Sequence, residues 1–262
     1  MCTPKNIALP LLHDPLFVIV AVLAVTFLGI SKGGFIGLGG TAVPLLSLVV
    51  APQQATAILL PILLAQDVVS VAVYRRDFSA WNLKALIPGA AVGAVIATFV
   101  AAAMPVPAVR LFVGVIAIWF VASRLAAPWL ERHLPRPSAA SGVFWGVIAG
   151  FTSTLANAGS PPYQIHMLPQ RLAKMTFVGT TAIYFAATNL MKIPSYFALG
   201  QLTWANLSVG VALIPLAVAT NVFGVWLARR VSMEAFYRIA YVLMFALGVE
   251  LIRSATVELI GN

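Results

Sequence analysis

The sequence predicts an all-α polytopic membrane protein built from two inverted repeats, each a broken-helix, re-entrant-like hairpin followed by three transmembrane helices. Three observations predict it. The 262 residues are 61% hydrophobic and only 9% charged, with a mean hydropathy of +0.98, whereas a soluble domain carries about 25% charged residues. The apolar residues fall in long runs separated by short basic bridges. Two of those runs are too long for one crossing and are interrupted by glycine or proline. By hydropathy the chain therefore has eight segments, two of them broken.

A bilayer core of about 30 Å takes roughly 20 helical residues. The first broken run, residues 15–50, contains Gly29-Ile-Ser-Lys-Gly-Gly-Phe-Ile-Gly-Leu-Gly-Gly-Thr-Ala-Val-Pro44, with five glycines between Gly33 and Gly40. Each glycine costs a helix about 1 kcal/mol relative to alanine. Unwound backbone at membrane depth is tolerated only where it is buried in protein or lines a cavity. The stretch therefore reads as the tip of a broken helix. Spans at 55–74, 85–104 and 107–127 complete the first repeat, 1–127. A linker at 128–140, with Arg132, Arg136 and three prolines, leads to the second repeat, 141–262. That repeat opens with the broken run 141–170, interrupted by Leu155-Ala-Asn-Ala-Gly-Ser-Pro-Pro162, and continues with spans 171–191, 203–228 and 233–254.

The halves read as copies. Gly39-Gly40-Thr41 aligns with Ala158-Gly159-Ser160, Pro52-Gln53 with Pro169-Gln170, and Asn82-Leu83 with Asn206-Leu207. Interrupted segments in corresponding positions of two repeats mark a transporter's binding site. Loop charge then chooses between topologies. If each broken run crosses once, the basic residues divide nine against six. If each returns to the face it entered from, Arg75, Arg76, Lys84, Arg124, Arg132, Arg136, Arg171, Lys174, Arg229, Arg230 and Arg238 share one face. Lys5, Arg110, Lys192 and Arg253 share the other, with Lys32 left out as a tip residue. The second arrangement obeys the positive-inside rule better. It leaves three full crossings per half, so the halves must be inverted and both termini lie outside. Tryptophans 81, 129, 145 and 204 fall near span ends, as an interfacial belt requires.

The tips carry the candidate chemistry. A helix restarting at Gly40-Thr41 offers free N–H groups and the positive end of its dipole to an anion, and glycine lets an oxyanion approach the backbone closely. Gly33, Gly34, Gly39, Gly40 and Thr41 form this first candidate site, with Lys32 balancing substrate charge or snorkelling to water. At the second tip, Asn157, Ala158, Gly159 and Ser160 precede two prolines; Ser160 is the expected helix cap, and Asn157 has an amide to donate. The competing structural explanations are close helix packing through small residues at the first tip and an ordinary capped turn at the second. Asp67 is the acid well inside a span and either pairs with Lys32 or carries a coupling proton. Gln66, Asn189 and Asn221 are uncharged candidates to line a path. His166 reads as a packed histidine, and Glu250 and Arg253 as an end-of-span pair one turn apart.

The glycine-rich first break ending in a proline, its shorter second copy and the two homologous halves resemble the sulfite exporter TauE/SafE family, from about Phe17 to Ile252. The resemblance implies a multi-pass carrier for small sulfur-containing anions such as sulfite, sulfoacetate or related sulfonates in the cytoplasmic (inner) membrane of a bacterium. It transfers no individual ligand residue. The alternative function, an intramembrane enzyme acting on a small or lipid substrate, needs a nucleophile–base pair, paired acids or metal ligands. No HExxH or GxSxG motif is present, and three scattered histidines make a poor metal site. The single cysteine, Cys2, excludes a disulfide framework within one chain. No catalytic residue, cofactor, metal or nucleic acid is expected; the expected partners are the anion and the lipid bilayer, with a homodimer left open.

Overall fold

The computed structural model describes residues 8–33, 38–133, 137–227 and 233–260. Gly34 of the first tip, Cys2, Lys5, Arg136, Arg229 and Arg230 lie outside the described residues. Among the described residues the chain is all helical. In order come α1 (Ala8–His13), α2 (Pro15–Gly33), a 3-10 turn (Leu38–Thr41) leading into α3 (Ala42–Leu46), α4 (Pro52–Tyr74), α5 (Ala80–Ala103) and α6 (Val106–His133). Then follow α7 (Ala139–Ala156), α8 (Ser160–Met167), a 3-10 turn (Leu168–Gln170), α9 (Lys174–Ala198), α10 (Trp204–Ala212), α11 (Ile214–Leu227) and α12 (Met233–Ile260).

Five of these, α2 and α4 to α7, are long and apolar enough to cross a membrane, and the pair α10–α11, bent by 41°, makes up to six. Two expected spans differ in form. The segment expected at 203–228 is broken at Leu213, because Pro215 lacks the amide that would continue the helix. The segment expected to stop at 191 runs on to Ala198. Its buried Thr180, Thr181, Thr188, Asn189 and Lys192 make it less apolar than its neighbours.

Both interrupted runs turn back on themselves. A Cβ placed on Gly39 would lie 3.0 Å from Leu28 Cδ1 and 3.4 Å from Ser31 Oγ, so the first 3-10 turn rests against the last turns of α2. At the second break Asn157 adopts the left-handed conformation at φ 52°, which asparagine tolerates as a helix stop. Its N–H donates to Ser153 O at 2.9 Å, and that of Ala158 to Thr152 O at 3.3 Å. A Cβ on Gly159 would come within 2.7 Å of Ala149 O, which places the start of α8 beside α7.

Helices pack in four main pairs: α5 with α7, α2 with α11, α4 with α9, and α6 with α12. The α5–α7 seam is the closest. Cβ atoms on Gly89 and Gly93 would lie 2.3 and 2.0 Å from the Val143 and Val147 carbonyl oxygens, and those on Gly146 and Gly150 2.4 and 2.2 Å from the Leu86 and Ala90 carbonyls. In lipid, where apolar burial does not drive helices together, such small-residue contact supplies the van der Waals attraction. A core around Phe17, Leu46, Ile58 and Val113 joins α2, α3, α4 and α6. Val68, Phe99 and Phe197 face outward, as lipid-facing side chains do. Trp81 and Trp204 are exposed in the first turns of α5 and α10.

Helices α4 and α9 run antiparallel through the centre. At one end the α4–α5 loop touches early α9, with Ser79 N donating to Thr180 Oγ1 at 2.8 Å. At the other end, Gln53 and Thr56 of early α4 share a small pocket with Tyr196 and Leu199 of late α9.

Candidate functional site

The two breaks and the two central helices bring five polar side chains into one continuous chain. Lys32 ends α2, where a cation complements the negative end of the helix dipole. It forms an ion pair with Asp67 of α4. The other carboxylate oxygen, Oδ2, accepts from Asn189 Nδ2 at 2.5 Å. Asn189 Oδ1 accepts from Lys192 Nζ at 2.8 Å, and Lys192 Nζ also donates to Asn157 Oδ1 at 2.5 Å. Charges buried this deeply survive only when paired and hydrogen-bonded. Asp67, 3% exposed, has both; Lys192, 1% exposed, has two hydrogen bonds to amide oxygens and no ion pair among the described residues. With both lysines protonated, two ammonium groups against one carboxylate give the cluster a surplus positive charge.

The cluster is arranged in parallel in the two halves. Lys32 and Asp67 are 35 residues apart, as are Asn157 and Lys192. In each case a residue at the end of a broken helix meets one on the following span. Asp67 and Asn189, which bond to each other, are 122 apart.

A cavity of about 130 Å³ adjoins this cluster and is lined by residues of both breaks, Gly39 and Gly40 from the first and Asn157 and Ser160 from the second. Lys32, Asn189 and Lys192 are on its wall, with the hydroxyls of Ser31, Ser70, Ser153 and Thr181 and the apolar Leu28, Leu63 and Phe185. Asn157 Nδ2 is buried without a hydrogen-bond partner. An unpaired buried donor costs about 1–3 kcal/mol, and an acceptor in the cavity would satisfy it.

Other sequence-predicted residues sit elsewhere. Gly33 closes α2. Thr41 is fully buried ahead of α3, makes no side-chain cap bond and is not on the cavity wall. Ala158 belongs to the apolar core. Gly159, not Ser160, occupies the cap position of α8. Ser160 is that helix's first residue, and its Oγ accepts from Gln164 Nε2 at 2.6 Å. Gln66 and Asn221 do not line the cavity. Gln66 is rotated by about 100° from Asp67 around α4, and its Nε2 reaches Ala217 O of α11 at 3.4 Å. Asn221 lies in α11, which packs on α2. His166 is held by Asn82 Oδ1 at 3.1 Å and Ser141 Oγ at 3.3 Å, and stacks on Trp81. Arg253 binds Glu250 through two bonds of 2.8 and 2.7 Å on the exposed surface.

Lys192 is the residue that sequence reasoning missed. A lysine just past an apolar run reads as a loop charge on the outer face; the longer α9 carries it into the centre instead. The signal that could have found it is its position three residues after Asn189, on the same helix face. Among the described residues no cluster of His, Cys, Asp and Glu is arranged to hold a metal ion.

Against models of protein families, residues 21–251 match the family described as Sulfite exporter TauE/SafE. Comparison with curated proteins and with solved structures found no match.

Proposed function

We propose that this chain, which belongs to the sulfite exporter TauE/SafE family, is a secondary transporter for sulfite, sulfoacetate or a related sulfonate, working by alternating access around the two helix breaks. The family is one of transporters for sulfur-containing anions, and its members are multi-pass membrane proteins. The observation that carries the reading for this chain is the surplus positive charge of Lys32, Asp67 and Lys192 at a cavity both breaks line. An oxyanion there meets Lys192, the free amide of Asn157 and the hydroxyls of Ser31 and Ser160. The Gly39–Gly40 backbone has no side chain to hold it away.

The pairing of α2 with α11 and of α5 with α7, and the antiparallel course of α4 and α9, support two inverted repeats; the loop charge favours both termini on the outer face. With Lys192 inside the protein, the basic loop residues lean further toward one face, which the positive-inside rule makes cytoplasmic. The membrane assigned is the bacterial inner membrane.

Thermal unfolding of the purified protein tests the substrate class. A ligand that binds only the folded state at a hundred times its Kd stabilises by about 2.7 kcal/mol, so sulfite or a sulfonate raises the melting temperature and chloride at equal ionic strength does not. No response to any of these anions between pH 6 and pH 8 would remove the assignment. Cysteines introduced at 53 and at 173 test the topology: they react with an impermeant reagent from opposite faces, and labelling from one face refutes the inverted arrangement.

A further inference from the structure

We propose that Tyr196 and Tyr74 are the two gates of the translocation route, Tyr196 closed and Tyr74 open in this structure, an inference that rests on the alternating-access reading. The main cavity extends from the breaks to Ser70 and Tyr74 in the last turns of α4 and to Val178 and Thr181 early in α9. It therefore runs toward one end of the molecule. At the opposite end lies a pocket of about 10 Å³ lined by Gln53, Thr56, Thr154, Tyr196 and Gln201. A space of that size holds about one water. Two of its side-chain oxygens, Gln53 Oε1 and Gln201 Oε1, are buried with no partner. Buried acceptors are normally satisfied, so these are groups that water reaches when the pocket widens.

What separates the two spaces is thin. Lys192 and Asn157 bond to each other on the main cavity's wall. One turn further along α9, the Tyr196 hydroxyl donates to the Thr154 carbonyl at 2.8 Å. Tyr196 is 1% exposed. Thr154 lies in the last turn of α7, whose carbonyls lack intrahelical partners. The gate is thus a tyrosine closing on the end of a broken helix, and movement of that break releases it.

Tyr74 stands toward the other end of the antiparallel α4–α9 pair, seven residues after Asp67 as Tyr196 is seven after Asn189. It stands half-buried at the wide end of the main cavity, and its hydroxyl makes no hydrogen bond among the described residues. The last described turn of α2, with Ser31 and Lys32, lines the same cavity and is the helix end on which the Tyr74 hydroxyl closes. Exchange of the two tyrosine contacts closes one end as it opens the other.

The test uses the full-length protein in proteoliposomes with Cys2→Ser, and single reporter cysteines from Gln53→Cys or Ser70→Cys. Modification by a membrane-impermeant methanethiosulfonate is timed from each face. Tyr196→Phe removes only the hydroxyl. It is expected to raise modification at position 53 about tenfold, the shift that about 1.4 kcal/mol of population change gives, and to slow it at position 70. Tyr74→Phe is expected to produce no rise at 53. Unchanged rates in Tyr196→Phe overturn the gate assignment, and so does a rise at both positions, which reports a loosened fold. The assay needs no substrate. If sulfite alters the parent's rates while Tyr196→Phe does not, the gate fails and alternating access stands; if neither alters them, both fail.

Discussion

Lys192→Gln is the most direct test of the cavity's chemistry. The substitution keeps a hydrogen-bonding side chain of similar length and removes the charge that gives the cluster its positive surplus. Lys192 Nζ donates to Asn157 and Asn189 at 2.5 and 2.8 Å, which fixes its position on the cavity wall. A hydrogen bond to a charged group contributes about 1.5–3 kcal/mol, and each 1.4 kcal/mol is tenfold in affinity. Anion binding should therefore weaken about tenfold to a hundredfold, with Lys192→Arg losing less. Folding should survive, because neutralising a buried ammonium also removes its desolvation cost. Calorimetric titration of sulfite into the purified variant, beside its thermal unfolding, checks both statements. Sulfite affinity equal to the parent's, in a variant with the parent's melting temperature, would refute the role given to Lys192.

Two further outcomes are expected. Removing one partner of a buried ion pair costs about 3–5 kcal/mol; the Lys32 side chain is 19% exposed, so Asp67→Asn should cost about 2–3 kcal/mol. Lys32→Gln combined with it should recover part of that loss, and a coupling below about 0.5 kcal/mol in chemical denaturation would show the pair to be unimportant. Gly93→Ala puts a methyl 2.0 Å from the Val147 carbonyl oxygen, backbone that cannot step aside, so it should separate α5 from α7 and abolish monodisperse protein on size exclusion; normal folding would contradict the described seam.

The composition and the two overlong apolar runs determined the all-helical membrane fold, because a bilayer permits few other ways to satisfy the backbone. The glycine cluster and Leu155–Pro162 located both breaks for the same reason, since unwound backbone needs residues that tolerate it. Asp67 and Lys32 were legible as rare intramembrane charges, and Asn189 as an uncharged polar residue within a span. What the linear pattern could not supply was rotation and depth. Gln66 and Asp67 are neighbours in the chain, yet α4 turns one toward α11 and the other toward Lys32 and Asn189. Lys192 reads as a loop charge until α9 is seen to continue to Ala198 and to face Asn157 across the cavity. Tertiary structure decided these points because a buried charge is tolerable only beside partners, and apart from Asn189 beside Lys192 those partners come from segments 35 or more residues apart in the chain.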